Sequence, residues 1–169
     1  MNEAQVSIRT ATPRDAEELR MMFARSTAES IYLRFHIPYP EVPEWMIDLM
    51  LDTDHQEKEA LATVVGGRIV GHAMYVRLHE GTEAEIAIIV EDRWQSKGVG
   101  KSLLSELARR ARLQGIETFI GEVLETNQPV LALVAMFAGA GYSMKGGVSH
   151  VRMPLRMASE VRTLRSSAA

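Results

Sequence analysis

Residues 95 to 101 contain two glycines and two lysines at a point where the hydrophobic pattern of the chain changes. The apolar run Ala84–Val90 ends just before them, and a helical pattern begins at Gly98. The first N–H groups of a helix have no partner within the helix, and the helix dipole places partial positive charge there. Gly98 and Gly100 would let a phosphate approach the backbone closely. This segment therefore predicts a turn that binds an anion.

Two other phosphate motifs do not fit this turn. Gly100-Lys101-Ser102 is similar to the end of a nucleotide-binding P-loop, but Gln95 stands where that motif needs glycine. Leu103 occupies the position of the third glycine of the dinucleotide fingerprint. The pattern that remains is Q-x-x-G-x-G, running from Gln95 to Gly100.

Two glutamates precede the turn on a predicted strand. Glu83 and Glu85 share a face of that strand, because residues two apart do. Glu85 also lies within the apolar run, a setting typical of carboxylates that act as bases near neutral pH. A carboxylate in such a setting can take a proton from a reacting group. Glu85 is therefore the candidate base and Glu83 the reserve, and the alternative for Glu85 is an ordinary solvent-facing strand residue.

The periodicity of apolar residues predicts the elements around these residues. Strands are expected at 6–9, 60–65, 68–78, 84–90 and 118–124, with a closing strand pair at 142–153. Helices are expected from Thr12-Pro13, at 43–51, 98–114 and 129–138, with a short helix passing into a loop within 32–43. Gly66-Gly67 predicts a hairpin turn, and the crossover around 84–124 predicts one parallel strand pair. A mixed sheet with helices on both faces follows, in one domain over 1–155 with a polar tail at 156–169.

The bulk composition narrows the classes of function. The chain has 169 residues and a net charge of −3, so one domain is expected and no overall field attracts nucleic acid or an anionic membrane. The absence of cysteine excludes disulfides, thiolate metal sites and an acyl-cysteine intermediate. The five histidines show no ligand-like spacing, so no metal is expected. We expect a cytoplasmic monomer or homodimer that binds neither nucleic acid nor membrane.

The turn in its context resembles the acetyl-CoA signature of the GNAT acetyltransferase superfamily. Q-x-x-G-x-G follows a strand and opens a helix, and Asn127 and Gly141-Tyr142 come at similar distances downstream. The resemblance covers about residues 6 to 155. It implies an α/β (α+β) fold with a mostly antiparallel sheet of about seven strands and about four helices on both faces.

The same resemblance implies where acetyl-CoA would lie. Backbone amides of the turn would hold the pyrophosphate, and these residues are Gln95, Ser96, Lys97, Gly98, Val99, Gly100 and Lys101. The edge of Ile88-Ile89-Val90 would pair with the amide-rich pantetheine arm, as one strand pairs with another. Asn127 matches a position near the thioester end of the cofactor, and it is equally a candidate N-cap of the following helix.

Two further segments are similar to bacterial protein-lysine acetyltransferases of this superfamily. One is Ala84-Glu85-Ile86-Ala87, where those enzymes carry a base glutamate, and the other is residues 31 to 35. The second segment implies acceptor contacts from Tyr32, Arg34 and Phe35, which could also be ordinary core and surface residues. The implied reaction transfers acetyl from acetyl-CoA directly to a primary amine, foremost a protein lysine. A small-molecule amine or a non-catalytic acyl-CoA sensor remain alternatives.

One departure from the family pattern concerns the general acid. Many members place a tyrosine four residues before the glycine of a Gly-aromatic pair, and here that residue is Phe137. Phenylalanine cannot protonate a departing thiolate. Tyr142, the aromatic residue of the pair, is expected to pack in the structure, so no general acid is assigned and protonation by solvent stays open.

Overall fold

The computed structural model describes residues 6–79, 81–137 and 139–156. Residues 1–5 of the predicted domain and nearly all of the predicted tail, 157–169, lie outside the described residues. The strands are β1 Val6–Thr10, β2 Lys58–Val65, β3 Arg68–Arg77, β4 Glu83–Val90, β5 Thr118–Leu124, β6 Gly141–Lys145 and β7 Val148–Pro154. The α-helices are α1 Ala16–Arg25, α2 Ala28–Phe35, α3 Glu44–Leu51, α4 Val99–Leu113 and α5 Gln128–Val134.

The seven strands form one sheet in the order β1-β2-β3-β4-β5-β7-β6. Every neighbouring pair is antiparallel except β4 and β5, which are parallel as the crossover through α4 requires. Gly66 and Gly67 both have positive φ and close the β2–β3 hairpin. The predicted fold class, a mixed and mostly antiparallel sheet flanked by helices, is confirmed.

Each face of the sheet carries its own hydrophobic core. On one face α4 and α5 cover a cluster that includes Tyr75 and Phe119. On the other face α1, α2 and α3 cover a second cluster around Leu19, Met22 and Ile47. The predicted apolar stripe of α4 is fully buried, and its residues are Val99, Leu103, Leu104, Leu107, Ala108 and Ala111. Two helical layers therefore sandwich the sheet, with β4 near its centre.

Three helical predictions need correction. The described residues form five α-helices where about four were expected, because Ala28–Phe35 is a helix in its own right, with its C-cap His36 in the left-handed region (φ 58°). The segment after Thr12 begins as a 3-10 turn, Pro13–Asp15, before α1 starts. The last helix ends at Val134 and not near residue 138, and Phe137 closes the following turn by donating to the Val134 carbonyl.

Candidate active site

The first turn of α4 has no capping side chain in the described part of the chain. Its N-cap residue is Gly98, in the left-handed region with φ 82°. The neighbouring helices differ, since the side chain of Thr27 caps α2 and that of Asn127 caps α5. Ser96 also has positive φ, at 57°. A turn that contains left-handed residues in this way is typical of backbone whose amides bind anions. The amides at the start of α4 are therefore available to a ligand.

Side-chain hydrogen bonds fix this turn to α2. Asp92 accepts from the backbone N–H of Thr27 at 2.9 Å, from the Thr27 hydroxyl at 2.7 Å and from the Ser30 hydroxyl at 2.9 Å. The Gln95 side-chain amide donates to the Val90 carbonyl at 3.0 Å and to Ser30 at 3.2 Å. Partial burial raises the pKa of Asp92, but the hydrogen bonds from Thr27 and Ser30 outweigh it and the pKa is lowered. The turn and α2 are thus held together by side-chain hydrogen bonds.

A cleft of about 300 Å³ opens in front of the turn. Nine of the residues predicted to bind cofactor line it: Ile88, Ile89, Val90, Gln95, Ser96, Gly98, Gly100, Lys101 and Asn127. The lining of this cleft does not include Lys97, whose ammonium lies 5.1 Å from the centre of the Trp94 ring, or Val99, whose side chain is buried in the core. Their side chains thus point elsewhere, and only their backbone amides could serve a ligand at the turn.

The parallel pairing of β4 with β5 is short. It covers three residue pairs, Glu83–Glu85 with Thr118–Ile120, and in the described ranges no β4–β5 pairing continues beyond them. The remainder of β4 keeps its antiparallel pairing with β3 as far as Val90. The other edge of Ile88–Val90 therefore has no strand partner in the described ranges, and apart from the Val90 carbonyl, which accepts from Gln95, its backbone groups could pair with an extended, amide-containing chain.

A second cleft of about 240 Å³ adjoins the first. The two share Leu33, Arg34, Ile88, Asn127 and Val130, so they meet at the point where β4 and β5 part. Glu85, Arg34 and Phe35 line the second cleft, which brings together a predicted base and two of the three predicted acceptor contacts. Tyr32 is not in the lining and is 42% exposed on the outer side of α2.

The two candidate glutamates have different surroundings. Glu83 forms an ion pair with Arg152 on β7. Glu85 is exposed at the mouth of the second cleft, and its side chain has no hydrogen bond or ion pair with any described residue. A base must be free to accept a proton, so this geometry favours Glu85 over Glu83 as the residue that faces an acceptor.

Arg34 brings a positive charge to the second cleft. Its Nε atom is buried without a hydrogen-bond partner among the described residues, and its Cζ lies 4.7 Å from the centre of the Phe35 ring. Burial lowers the pKa of the guanidinium to about 10, and the carboxylate of Glu85 opposes that change. His72, buried on β3, is also affected: burial, with the charge of Arg34, lowers its pKa to about 3. At neutral pH Arg34 is charged and His72 is neutral.

The structure provides no tyrosine at the position where many family members have one. Phe137 is 3% exposed in the core beside α4 and α5 and lines neither cleft. The expectation that Tyr142 packs is wrong, because it is 62% exposed on β6, a strand whose residues are all exposed. Asn127 is the N-cap of α5 as predicted, since its Oδ1 accepts from the Val130 N–H at 3.4 Å, and it also lines both clefts.

Sequence reasoning did not find six residues that complete the first cleft together with Arg34: Ser30, Leu33, Pro129, Val130, Ala132 and Leu133. Leu33 and Leu133 are ordinary apolar helix residues, and nothing in the local pattern distinguishes them. Among the described residues, no group of three or more His, Cys, Asp or Glu side chains could hold a metal ion. The helices in that part of the chain are too short or too polar to cross a membrane.

Comparison with known proteins agrees with this geometry. Residues 22–139 match the family model described as Acetyltransferase (GNAT) family. The crystal structure of the GNAT domain of S. lividans PAT superposes with a TM-score of 0.82 at 29% identity, covering 88% of this chain and 90% of that one. Because the family model matches well over half of its length, the chain belongs to the GNAT acetyltransferase family.

Two curated relatives are more distant. Acetyltransferase Pat of Mycolicibacterium smegmatis is 26% identical over 123 residues, which cover 71% of this chain and 37% of that protein. The L-amino acid N-acetyltransferase AaaT of Escherichia coli is 27% identical over 107 residues, 62% of this chain and 63% of that protein. The chain therefore spans less than two thirds of the length of either relative.

Proposed function

We propose that this protein is an acetyl-CoA-dependent N-acetyltransferase that acetylates a primary amine. The observation that carries the proposal is the junction of the two clefts. One cleft begins at the uncapped start of α4, and the other ends at the unpaired carboxylate of Glu85. A donor held in the first cleft and an amine in the second would meet beside Ile88 and Asn127.

The residues of the first cleft fit coenzyme A. The α4 amides and Lys101 are suited to a pyrophosphate, and a Cβ added at Gly98 would meet no atom within 4 Å, so the backbone there is open to a bulky anion. The edge of Ile88–Val90 that has no strand partner in the described ranges is suited to the amides of pantetheine. When bound, acetyl-CoA supplies a thioester whose carbonyl carbon accepts a nucleophile.

The residues of the second cleft would prepare the amine. Glu85 takes a proton from the ammonium form, directly or through a water, so that a neutral amine faces the thioester. The amine attacks directly, because the chain has no cysteine to carry an acyl group. Phe137 donates no proton, so solvent protonates the departing thiolate.

We assign the acceptor as a protein lysine. Glu85 is exposed at the mouth of its cleft, so a long side chain projecting from a partner protein can reach it. The similarity of residues 31 to 35 and 84 to 87 to protein-lysine acetyltransferases supports this acceptor. The name of the AaaT relative makes a free amino acid the second candidate.

A thiol-release assay tests the proposal with acetyl-CoA and a panel of amines that includes a lysine-rich protein extract. We expect release above background with wild type, and a fall in kcat of about 10²- to 10⁴-fold in Glu85→Gln with CoA affinity nearly unchanged. Glu117→Gln is the matched control, since this exposed residue forms no side-chain hydrogen bond or ion pair with the described residues and lies outside both clefts.

Three results would redirect the proposal. Equal kcat of wild type and Glu85→Gln at every pH would remove Glu85 from the reaction. Loss of activity in Glu83→Gln alone would transfer the role of base to Glu83. CoA binding by calorimetry without thiol release on any acceptor would indicate an acyl-CoA sensor.

A further inference from the structure

Arg34 lies where the two clefts join. It is in the last turn of α2, and it lines both the cleft in front of α4 and the cleft that contains Glu85. Of the described residues, five line both clefts, and Arg34 is the one charged residue among these five. A thioester in one cleft and an amine in the other can react only at this junction, so the guanidinium is within the reacting region.

The guanidinium lacks the partners that other enclosed arginines have. Arg25 contacts the buried carboxylate of Glu91 at 3.0 Å, and Arg110 contacts Glu59 at 3.2 Å and Glu106 at 2.9 Å. Arg34 has no ion pair with any described carboxylate, and its buried Nε has no hydrogen-bond acceptor in the described ranges. An enclosed cation without a partner is costly, and such groups are normally paired. An oxygen from a bound substrate would satisfy it.

The charge on Arg34 persists at neutral pH. Burial lowers its pKa only to about 10, and the nearby carboxylate of Glu85 favours the charged form. Poor access of water to the Nε side reduces screening, so an interaction with a developing negative charge is stronger here than at an open surface. The planar fork of five N–H donors also suits a carbonyl oxygen whose position shifts during reaction.

We propose that Arg34 is a catalytic residue that holds the thioester carbonyl oxygen and stabilises the negative charge formed on it. As the nitrogen of the neutral amine bonds to the carbonyl carbon, the carbonyl electron pair moves to oxygen, and the proton in excess on nitrogen leaves to solvent, because Glu85 already holds the proton of the ammonium form. The pair returns as the carbon–sulfur bond breaks and the thiolate departs. Arg34 gives up no proton in this step. The inference rests on the proposed acetyl transfer.

Two variants separate charge from shape. Arg34→Met removes the charge at similar volume, and Arg34→Lys keeps the charge but loses the planar fork. We expect Arg34→Met to lower kcat by about 10²- to 10³-fold, the range for removal of an oxyanion donor, with the KM of both substrates changed less than about threefold. Arg34→Lys recovers part of kcat. Arg109→Met, an exposed arginine of α4 outside both clefts, serves as control.

A second measurement does not depend on turnover. Isotope-edited infrared spectra of acetyl-CoA labelled with ¹³C at the carbonyl report hydrogen bonding to that oxygen in the bound state. We expect the carbonyl stretch to shift to lower frequency in wild type and Arg109→Met, and to return toward the free value in Arg34→Met. Thermal unfolding and CoA calorimetry on each variant establish that the fold and the first cleft are intact, and Arg34→Lys carries the test if Arg34→Met does not fold.

The measurements distinguish failure of the inference about Arg34 from failure of the proposed function. If wild type binds acetyl-CoA and is active but the stretch is the same in wild type and Arg34→Met, the inference is wrong while the proposed function stands. If Arg34→Met keeps kcat and raises only the KM of the acceptor, Arg34 binds an anionic group of the acceptor, which also overturns it. If wild type neither binds acetyl-CoA nor releases thiol, the proposed function itself fails.

Discussion

Gly98 has a backbone conformation that favours glycine, and its lack of a side chain leaves room for a ligand. Its φ of 82° is in the region that disfavours side chains, and a Cβ placed there would point into open space in front of α4. The same residue type thus meets a conformational requirement and leaves the amides of the first turn uncovered.

Substitution of Gly98 by valine should abolish CoA binding. The branched side chain would occupy the space that a pyrophosphate needs, and the left-handed backbone would add strain of about 1–3 kcal/mol. Calorimetric titration with CoA measures the first effect and urea unfolding the second.

Gly115 provides the matched control for this substitution. It has φ 77°, nothing within 4 Å of an added Cβ, and a position just beyond the other end of α4. Gly115→Val should lose similar stability and keep CoA affinity. If Gly98→Val binds CoA as wild type does, the anion does not lie at this turn.

The sequence predicted the residues of the turn better than it predicted what their side chains do. Q-x-x-G-x-G identified the cleft-lining Gln95, Gly98 and Gly100, because their spacing reflects the helix start itself. The pattern could not reveal that Lys97 lies over Trp94. Nor could it show that Arg34 is without a partner, since an ion pair depends on contacts between distant segments.

At the scale of elements, α2 and the loop after β4 are coupled. Asp92 accepts hydrogen bonds from Thr27 and Ser30 at the start of α2, and the same helix carries Arg34 at the cleft junction. These hydrogen bonds therefore connect the turn of the first cleft directly to the helix that lines the acceptor side of the site. This coupling joins residues about 65 positions apart in sequence, so local patterns could not predict it.

Asp92→Asn should weaken both stability and CoA binding. The carboxylate accepts three hydrogen bonds, and replacing a charged acceptor by an amide should cost about 1–2 kcal/mol of unfolding free energy at pH 7. Because the folded-state pKa of Asp92 is lowered, its contribution is present above the unfolded pKa and is lost as pH falls through the folded value. Urea unfolding from pH 7 down to about pH 2 should show a smaller acid loss in Asp92→Asn than in wild type.

Asp54→Asn is the control for this variant. Asp54 also has a lowered pKa, first because of the hydrogen bond from the Lys58 backbone N–H, and it lies outside both clefts. It should reproduce the change in pH dependence without a change in CoA affinity. Equal CoA affinity in wild type and Asp92→Asn would show that the link to α2 does not support the cofactor cleft.

Element types were predictable and their ends were less so. The alternation of apolar residues gave the strands and the stripe of α4, since burial on one face imposes a period on the sequence. The prolines between 38 and 43 obscured α2, which ends before them at Phe35. Tyr142 looked like a packing residue because aromatic side chains are usually buried, yet β6 is an edge strand that no described helix covers.

For the whole molecule, we expect a ligand bound in the first cleft to stabilise the folded state. Acetyl-CoA at about 100 times its Kd should add about 2.7 kcal/mol to the unfolding free energy. For a chain of this size that corresponds to a rise in Tm of roughly 5–10 °C. Acetyl-pantetheine, which lacks the pyrophosphate, should give a much smaller rise in a thermal unfolding experiment. An equal rise with both ligands would contradict the role of the α4 turn.

The central claim is that the two clefts bring acetyl-CoA and a protein lysine together. The most direct test incubates wild type and Glu85→Gln with acetyl-CoA carrying a labelled acetyl group and a lysine-rich protein extract, followed by mass spectrometry of the proteins. We expect labelled acetyl groups on lysine side chains after incubation with wild type, and at least about 10²-fold less labelled acetyl-lysine with Glu85→Gln. Label found only on free amino acids, or equal labelling by both enzymes, would contradict the central claim.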